Sequence, residues 1–267
     1  RCRGDIVLLA DARQRFAADV LRKLTAHFID PKVGAVSGEL LLLAGSEDTA
    51  AGEGVGFYWK YEKFMRRNES RIDSTIGATG AIYAIRRDLF EVIPTGTLLD
   101  DVLIPMRIVR RGYRVRFEPA ARAFDREAPP QLEFIRKVRT LAGNFQLFIQ
   151  EPWLLNPFSN RLWLQTVSHK GLRLLTPLCL VVVLLANLLL LDKLFYCWTL
   201  GMQSALYAAA VGGYLLRNGS KTIRILQIPY VFCLLNWAVV IGFVRFVNGR
   251  QRVTWERVSA HKETSAE

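Results

Sequence analysis

The feature that most constrains this chain is the segregation of its apolar residues. Three long apolar segments close the sequence, at about 172–191, 194–216 and 225–247, and each is long enough to cross a hydrocarbon core of ~30 Å. The chain as a whole is 51% hydrophobic, yet 22% of its 267 residues are charged and the net charge is +12. Those values belong together only if a charged part and a greasy part share one chain. An aromatic content of 11% and the long apolar runs exclude disorder. Four cysteines are too few for a disulfide scaffold. Cys179, Cys197 and Cys233 lie inside apolar runs with no CxxC pair, which argues against zinc and redox roles. The chain opens Arg-Cys-Arg-Gly-Asp and runs at once into a strand pattern, without an initiator methionine or signal peptide. A fragment lacking its amino-terminal part is the expectation.

Before the apolar segments the pattern alternates. Residues 6–10 form a short apolar run of the kind found in a parallel sheet buried on both faces. A helix over 14–28 is expected, with Phe16, Val20, Leu21, Leu24 and Phe28 on one stripe and Asp30-Pro31 as its stop. Residues 33–43 read as strand and 48–56 as a polar, glycine-bearing loop. The next helix spans 57–67, with Tyr58, Tyr61 and Met65 on one side. A strand at 81–85, a helix at 101–111 closed by Gly112 and a strand at 113–117 complete an α/β sandwich. Residues 131–150 repeat Leu132, Ile135, Val138, Ala142, Phe145 and Ile149 at helical spacing, opposite Arg136, Lys137 and Arg139. Such a helix suits a membrane surface or the surface of a soluble domain. A second amphipathic stretch at 162–175 runs directly into apolar sequence and favours the interface. The expected organisation is a catalytic-type domain at 1–130, interfacial helices at 131–171, three membrane helices at 172–247 and a basic tail at 248–267. Asp192-Lys193 turns the chain between the first two spans, and a basic loop, Arg217 to Arg224, precedes the third. With three spans and a cytoplasmic domain, the tail's Arg250, Arg252, Arg257 and Lys262 fall outside, against the positive-inside rule.

Chemistry-bearing residues are few. Asp11 follows a strand at its carboxyl end, where open α/β sheets bind ligands; it suits a metal or ribose contact, or a cap for the following helix. Asp100 and Asp101 open a helix, where they either cap it or provide a general base whose pKa a neighbouring carboxylate raises. Gly77-Ala78-Thr79-Gly80 is either a plain turn or a loop that lets a bulky substrate approach the backbone. Arg136 and Arg139 share a helical face and suit a diphosphate or lipid headgroups. His27, His169 and His261 are scattered, and His169-Lys170 is expected to meet headgroups or the soluble domain.

The order of these elements resembles the membrane-embedded family 2 glycosyltransferases, the group of cellulose, hyaluronan and poly-N-acetylglucosamine synthases. The matching stretches are Leu9-Ala10-Asp11-Ala12-Arg13-Gln14, Asp30 to Gly38, Tyr58-Trp59-Lys60-Tyr61-Glu62, Gly77 to Arg87, Asp100-Asp101, Arg110-Arg111-Gly112-Tyr113, Arg136 to Thr140 with Gly143-Asn144, and Ser168-His169-Lys170. The resemblance implies a partial GT-A-like domain joined to membrane helices. It also implies transfer from a UDP-sugar to a glycan or lipid-linked acceptor, with inversion, at the cytoplasmic face of the cell membrane. Asp11 looks like the first residue of the DxD element, meeting the donor diphosphate and a Mg²⁺ or Mn²⁺ ion, although Arg13 fills the second acidic position. Asp101 looks like the general base that ends the Thr-Glu-Asp element, with Leu99 and Asp100 before it. Arg136 to Thr140 resembles the Gln-x-x-Arg-Trp element but keeps only Arg139, with Arg136 as a second diphosphate contact; Thr140 in place of the tryptophan weakens the case for a long polymer. Gly77, Ala78, Thr79 and Gly80 look like the acceptor-site loop. The competing reading is a catalytically degenerate scaffold for a partner synthase. A transporter is disfavoured because Asn187, Gln203 and Asn236 in the spans are uncharged. The +12 charge is assigned to anionic lipid and sugar diphosphate rather than nucleic acid.

Overall fold

The computed structural model describes residues 3–43, 50–126, 128–216 and 224–251, with side chains described from residue 61 in the helix that begins at 50 and from 225 in the last helix. Five strands form one mixed sheet. In chain order the elements are β1 (Ile6–Ala10), β2 (Arg15–Phe16), α1 (Val20–Ala26), β3 (Val33–Leu43), α2 (Ala50–Ile72), β4 (Ile82–Arg86), α3 (Asp100–Arg110), β5 (Arg114–Arg126), α4 (Pro130–Gln150), the single turn α5 (Trp163–Gln165), α6 (Leu172–Leu189), α7 (Leu194–Leu215) and α8 (Arg224–Val247). The sheet order is β1-β4-β3-β5-β2. Only β3 and β5 run parallel; the other pairs are antiparallel. Strand period two divides the core between the faces. Ala35, Tyr83, Ile85 and Val115 meet α3 through Leu103, Met106 and Ile108, with Ala142 and Leu147 of α4 behind. Val36, Ile82, Ala84, Ala121 and Ala123 meet Val20 and Leu24 of α1 and Phe28 in the turn that follows it.

Several sequence expectations are corrected here. Residues 6–10 are an edge strand antiparallel to β4, not a central parallel one. The expected helix over 14–28 starts only at Val20, because Arg15–Phe16 pairs with β5 instead. Of its stripe, Phe16 and Leu21 are exposed while Val20, Leu24 and Phe28 are buried. The expected loop at 48–56 is helical from Ala50 onward, and that helix continues to Ile72 rather than stopping near 67. Tyr61 on its expected apolar stripe is exposed, and the buried side of α2 carries Glu69 and Ser70. The loop residues Asp48 and Thr49, the side chains of Tyr58, Trp59, Lys60 and Arg224, the basic loop from Arg217 and the tail residues Arg252, Arg257 and Lys262 lie outside the described residues.

The carboxyl-terminal helices pack on the α/β body through α4. Its Val138 and Leu141 are buried against Ala238 and Val239 of α8. Contact is closest at Gly242, where an added Cβ would sit 3.1 Å from the Ala142 nitrogen. Much of the apolar face of α4 is therefore spent on protein. The second amphipathic stretch is not a separate helix. It runs from α5 through a π-helical turn, Thr166–Gly171, into α6, with Thr166 and His169 turned inward. Two helices among the described residues are long and apolar enough to cross a membrane, Trp163–Leu189 and Ile225–Val247, and only 6% and 17% of their apolar windows are buried. The intervening α7 has 22 residues but is not one of that pair. It is tied to α6 by amides: Asn187 Nδ2 donates to Gln203 Oε1 at 3.2 Å, and Gln203 Nε2 donates to the Leu180 carbonyl at 3.0 Å. Polar pairs of this kind fix helix contacts where both neighbours are apolar.

Candidate active site

The site is organised by a proline. In an α-helix the N–H of residue 105 would bond the carbonyl of residue 101. Pro105 has no N–H, so that carbonyl is left without its helical partner. It accepts instead from the N–H of Ala78 at 2.7 Å, which fastens the loop before β4 onto the first turn of α3. Gly77 has φ +91°, and a Cβ there would come within 3.1 Å of the Asp101 carbonyl oxygen. Gly80 lies against the other part of the same residue: a Cβ on it would sit 3.3 Å from Asp101 Oδ2. Thr79 N–H donates to Ser37 Oγ at 2.9 Å, tying the loop back to the sheet. The structure thus joins Gly77, Ala78, Thr79 and Gly80 to Asp101. Asp11 is at the far end of the same loop, because the register that pairs Ala10 with Ile82 lets its N–H donate to the Ala81 carbonyl at 3.2 Å.

Neither Asp100 nor Asp101 caps α3, whose N-cap is Leu99 without a side-chain bond, so both carboxylates remain available. Loss of hydration pushes Asp101 above the usual carboxylate range, and the neighbouring Asp100 charge adds to this. Lys170, Arg66 and Arg139 oppose the rise. Burial lowers the Arg139 guanidinium while Asp101 and Asp100 pull it back. Arg139 is therefore the member of the expected arginine pair that the structure couples to these carboxylates. Arg136 contributes its backbone carbonyl, which accepts from Thr140 Oγ1 at 3.0 Å. The Tyr83 hydroxyl is buried and has no hydrogen-bond partner among the described residues; burial and the charges of Asp100 and Asp101 push it up, keeping it protonated.

Arg13 gives Asp11 its partner. Arg13 Nε lies 3.0 Å from Asp11 Oδ2 and 3.6 Å from Asp125 Oδ2, and Gln14 Nε2 donates to that same Asp125 oxygen at 3.1 Å. The expected helix-capping role of Asp11 does not arise, since α1 begins nine residues on. Among the described residues no group of three His, Cys, Asp or Glu side chains comes together for a metal ion. Asp11, the carboxylate that the resemblance assigns to a metal ion, is thus paired with Arg13 in this structure.

Sequence reasoning missed a polar cluster beside this loop. His169 Nδ1 is 2.8 Å from Glu69 Oε1, and His169 Nε2 is 3.2 Å from Glu62 Oε2. Carboxylates only accept, so a ring facing two of them is an imidazolium. Burial alone would raise Glu62; the bond from His169 and the charges of Arg66, His169 and Lys170 outweigh it and hold this carboxyl far below its usual range. The second oxygen of Glu69 accepts from the N–H of Ile76 at 3.4 Å, immediately before the glycine loop. The sequence signal was a His-Lys pair at the boundary of an amphipathic and an apolar stretch, assigned there to headgroups or the soluble domain; the structure places His169 against Glu62 and Glu69 of α2.

The raised state of Asp101 has a thermodynamic consequence. Its contribution to stability is complete below the ordinary carboxylate range and is lost as pH rises through the raised value. Asp101→Asn should therefore melt no lower than wild type at neutral pH, with any advantage vanishing toward about pH 4. A mutant that melted well below wild type at neutral pH would contradict this charge balance.

Among solved structures, the chain resembles a mannosyltransferase from Pyrobaculum calidifontis, determined in complex with GDP-mannose and Mn²⁺, with TM-score 0.57 and 22% identity over 92% of this chain. The match spans 63% of that protein's length. A search of curated proteins found no match. The likeness identifies the mixed sheet and its helices as GT-A-like. The model of glycosyl transferase family group 2 matches residues 6–244, and the chain belongs to that family.

Proposed function

We propose that this chain carries the catalytic base of an inverting glycosyltransferase that moves a sugar from a nucleotide diphosphate donor to a glycan or lipid-linked acceptor. The single observation carrying this reading is the Asp101 carboxylate, raised by burial and set against a loop that is glycine where its Oδ2 needs room. In the proposed step Asp101 takes the proton of an acceptor hydroxyl as that oxygen attacks the anomeric carbon, and the sugar–phosphate bond breaks on the opposite side. In this reading Arg139, whose charge is coupled to Asp101 and Asp100, stabilises the departing diphosphate. When bound, a divalent ion supplies further neutralisation of that leaving group, and Asp11 is the residue that would hold it. Gly77 to Gly80 give the acceptor close access to the base. The resemblance to polysaccharide synthases favours a UDP-sugar donor, and the archaeal relative's GDP-mannose defines the alternative to test.

The two apolar helices and the largely exposed faces of α6, α7 and α8 support membrane anchorage. In this reading α6, α7 and α8 form a multi-pass anchor in the cell membrane, with the α/β body on the cytoplasmic side.

The scaffold reading draws on Arg13, which occupies Asp11. Nucleotide release separates the two. Membranes containing the complete protein, given UDP- and GDP-sugars with Mg²⁺ or Mn²⁺, should release nucleotide from one donor, and Asp101→Asn should lower the rate by ~10²–10⁴. Absence of release with every donor, despite folded protein, would favour the scaffold. Arg13→Ala, which frees the Asp11 carboxylate, should lower the Mn²⁺ concentration for half-maximal rate; an unchanged metal requirement would remove Asp11 from the ion's shell.

A further inference from the structure

A cleft of about 360 Å³ opens where the last turns of α2 meet β5, and none of its lining residues belongs to the site around Asp101. Its chemistry is basic. Arg67 and Arg71 line it from α2, Arg116 from β5 and His27 from the turn after α1, over a floor of Phe117 and Pro119. The walls are fastened to each other. Strand β2 pairs with β5 only at Ala123 and Phe124, so at Phe117 the open edge of β5 turns to α2 instead, and its N–H donates to Ser70 Oγ at 2.8 Å. Arg116 Nη1 donates to the Ser70 carbonyl at 3.2 Å, which sets this half-buried guanidinium against the end of the helix.

The positive charge gathered there lacks carboxylate partners. Arg67 and Arg71 are exposed and one helical turn apart, a spacing at which like charges repel. Among the described residues neither they nor Arg116 form an ion pair, and the acidic groups nearest in sequence are engaged elsewhere. Glu69 is 2.8 Å from His169, Asp73 is 3.0 Å from Arg161, and Glu118 is 2.6 Å from His27. The other Glu118 oxygen accepts from Ala120 N–H at 2.8 Å. We propose that this cleft is a binding site for a phosphoryl anion. Guanidinium forks from two different elements surround a tetrahedral dianion, whereas a planar carboxylate engages a single fork. The Phe117 and Pro119 floor offers an apolar surface to the organic part of a phosphate ester. The proposal is independent of the reading of Asp101 as the base. Phe117 is paired in register with Ser37, whose hydroxyl accepts from Thr79 N–H at 2.9 Å, so the cleft lies one strand away from the loop packed on Asp101.

The test is arginine-selective labelling with phenylglyoxal, read residue by residue by mass spectrometry on the full chain in lipid nanodiscs. Two arms separate a soluble phosphate ester from a lipid phosphate. In one, inorganic phosphate is added to phosphatidylcholine nanodiscs; in the other, the nanodiscs contain phosphatidic acid and the buffer holds no phosphate. At least one arm should slow the labelling of Arg67 and Arg71 severalfold and leave Arg111, an exposed arginine at the end of α3, unchanged; the arm that protects names the source. Acetate at matched ionic strength should protect neither. Arg71→Gln, a substitution at an exposed position, should raise the concentration of the protecting anion for half-protection of Arg67 by roughly tenfold, the order expected on losing one charge-assisted hydrogen bond. Unchanged labelling in both arms would overturn the proposal, as would an unshifted half-protection in Arg71→Gln. Equal protection by acetate, or equal protection of Arg111, would reduce the effect to screening of surface charge and overturn it too.

Discussion

One backbone hydrogen bond holds this site together: Ala78 N–H to the carbonyl of Asp101, made possible by a proline four residues downstream. Ala78 is 2% exposed, so the bond lies out of competition with water. Remove it, and Gly77 to Gly80 keep their packing against Val102 and the Asp101 side chain but lose this backbone tie to the first turn of α3. With it in place, Asp101, the small-residue loop and the strand end that carries Asp11 form one unit. A proline inside a helix normally weakens it; here the missing donor leaves an acceptor for another element, and the hydrophobic contacts of Leu103, Met106 and Ile108 keep the helix itself in place.

The charges extend from that unit in layers. Asp101 is raised by burial and by the neighbouring Asp100 charge. Arg139 from α4 and the basic groups of α2 and the π-helical turn limit the rise. These cations come from elements that also contact the carboxyl-terminal helices: α4 packs on α8, and the π-helical turn runs into α6. Placement of the apolar helices and the charge balance at Asp101 are therefore parts of one packing problem.

Much of this was legible in the residues. Strand β3 has the bounds its hydrophobic run implies, Gly112 closes α3 with φ +91°, and Asp100-Asp101 opens the helix as their dipole preference suggests. The union of Gly77–Gly80 with Asp101 followed from the resemblance rather than from local pattern, because nothing in a small-residue stretch says which helix it meets. The start of α1 was misread because Phe16 fits the helical stripe; its pairing with β5 is a long-range event that spacing does not encode. The stripe on α2 failed for a similar reason, since its buried side is polar and is satisfied by partners on remote segments. His169 and Lys170 looked like interfacial residues because a π-helical turn, which re-aims them, leaves no mark in helical periodicity.

The direct test is amide hydrogen exchange at Ala78. The account predicts strong protection in the intact protein, lost in Pro105→Ala, where residue 105 regains an N–H that competes for the Asp101 carbonyl, together with a fall in turnover. Free exchange at Ala78 in wild type, or protection and turnover both unchanged by Pro105→Ala, would contradict it.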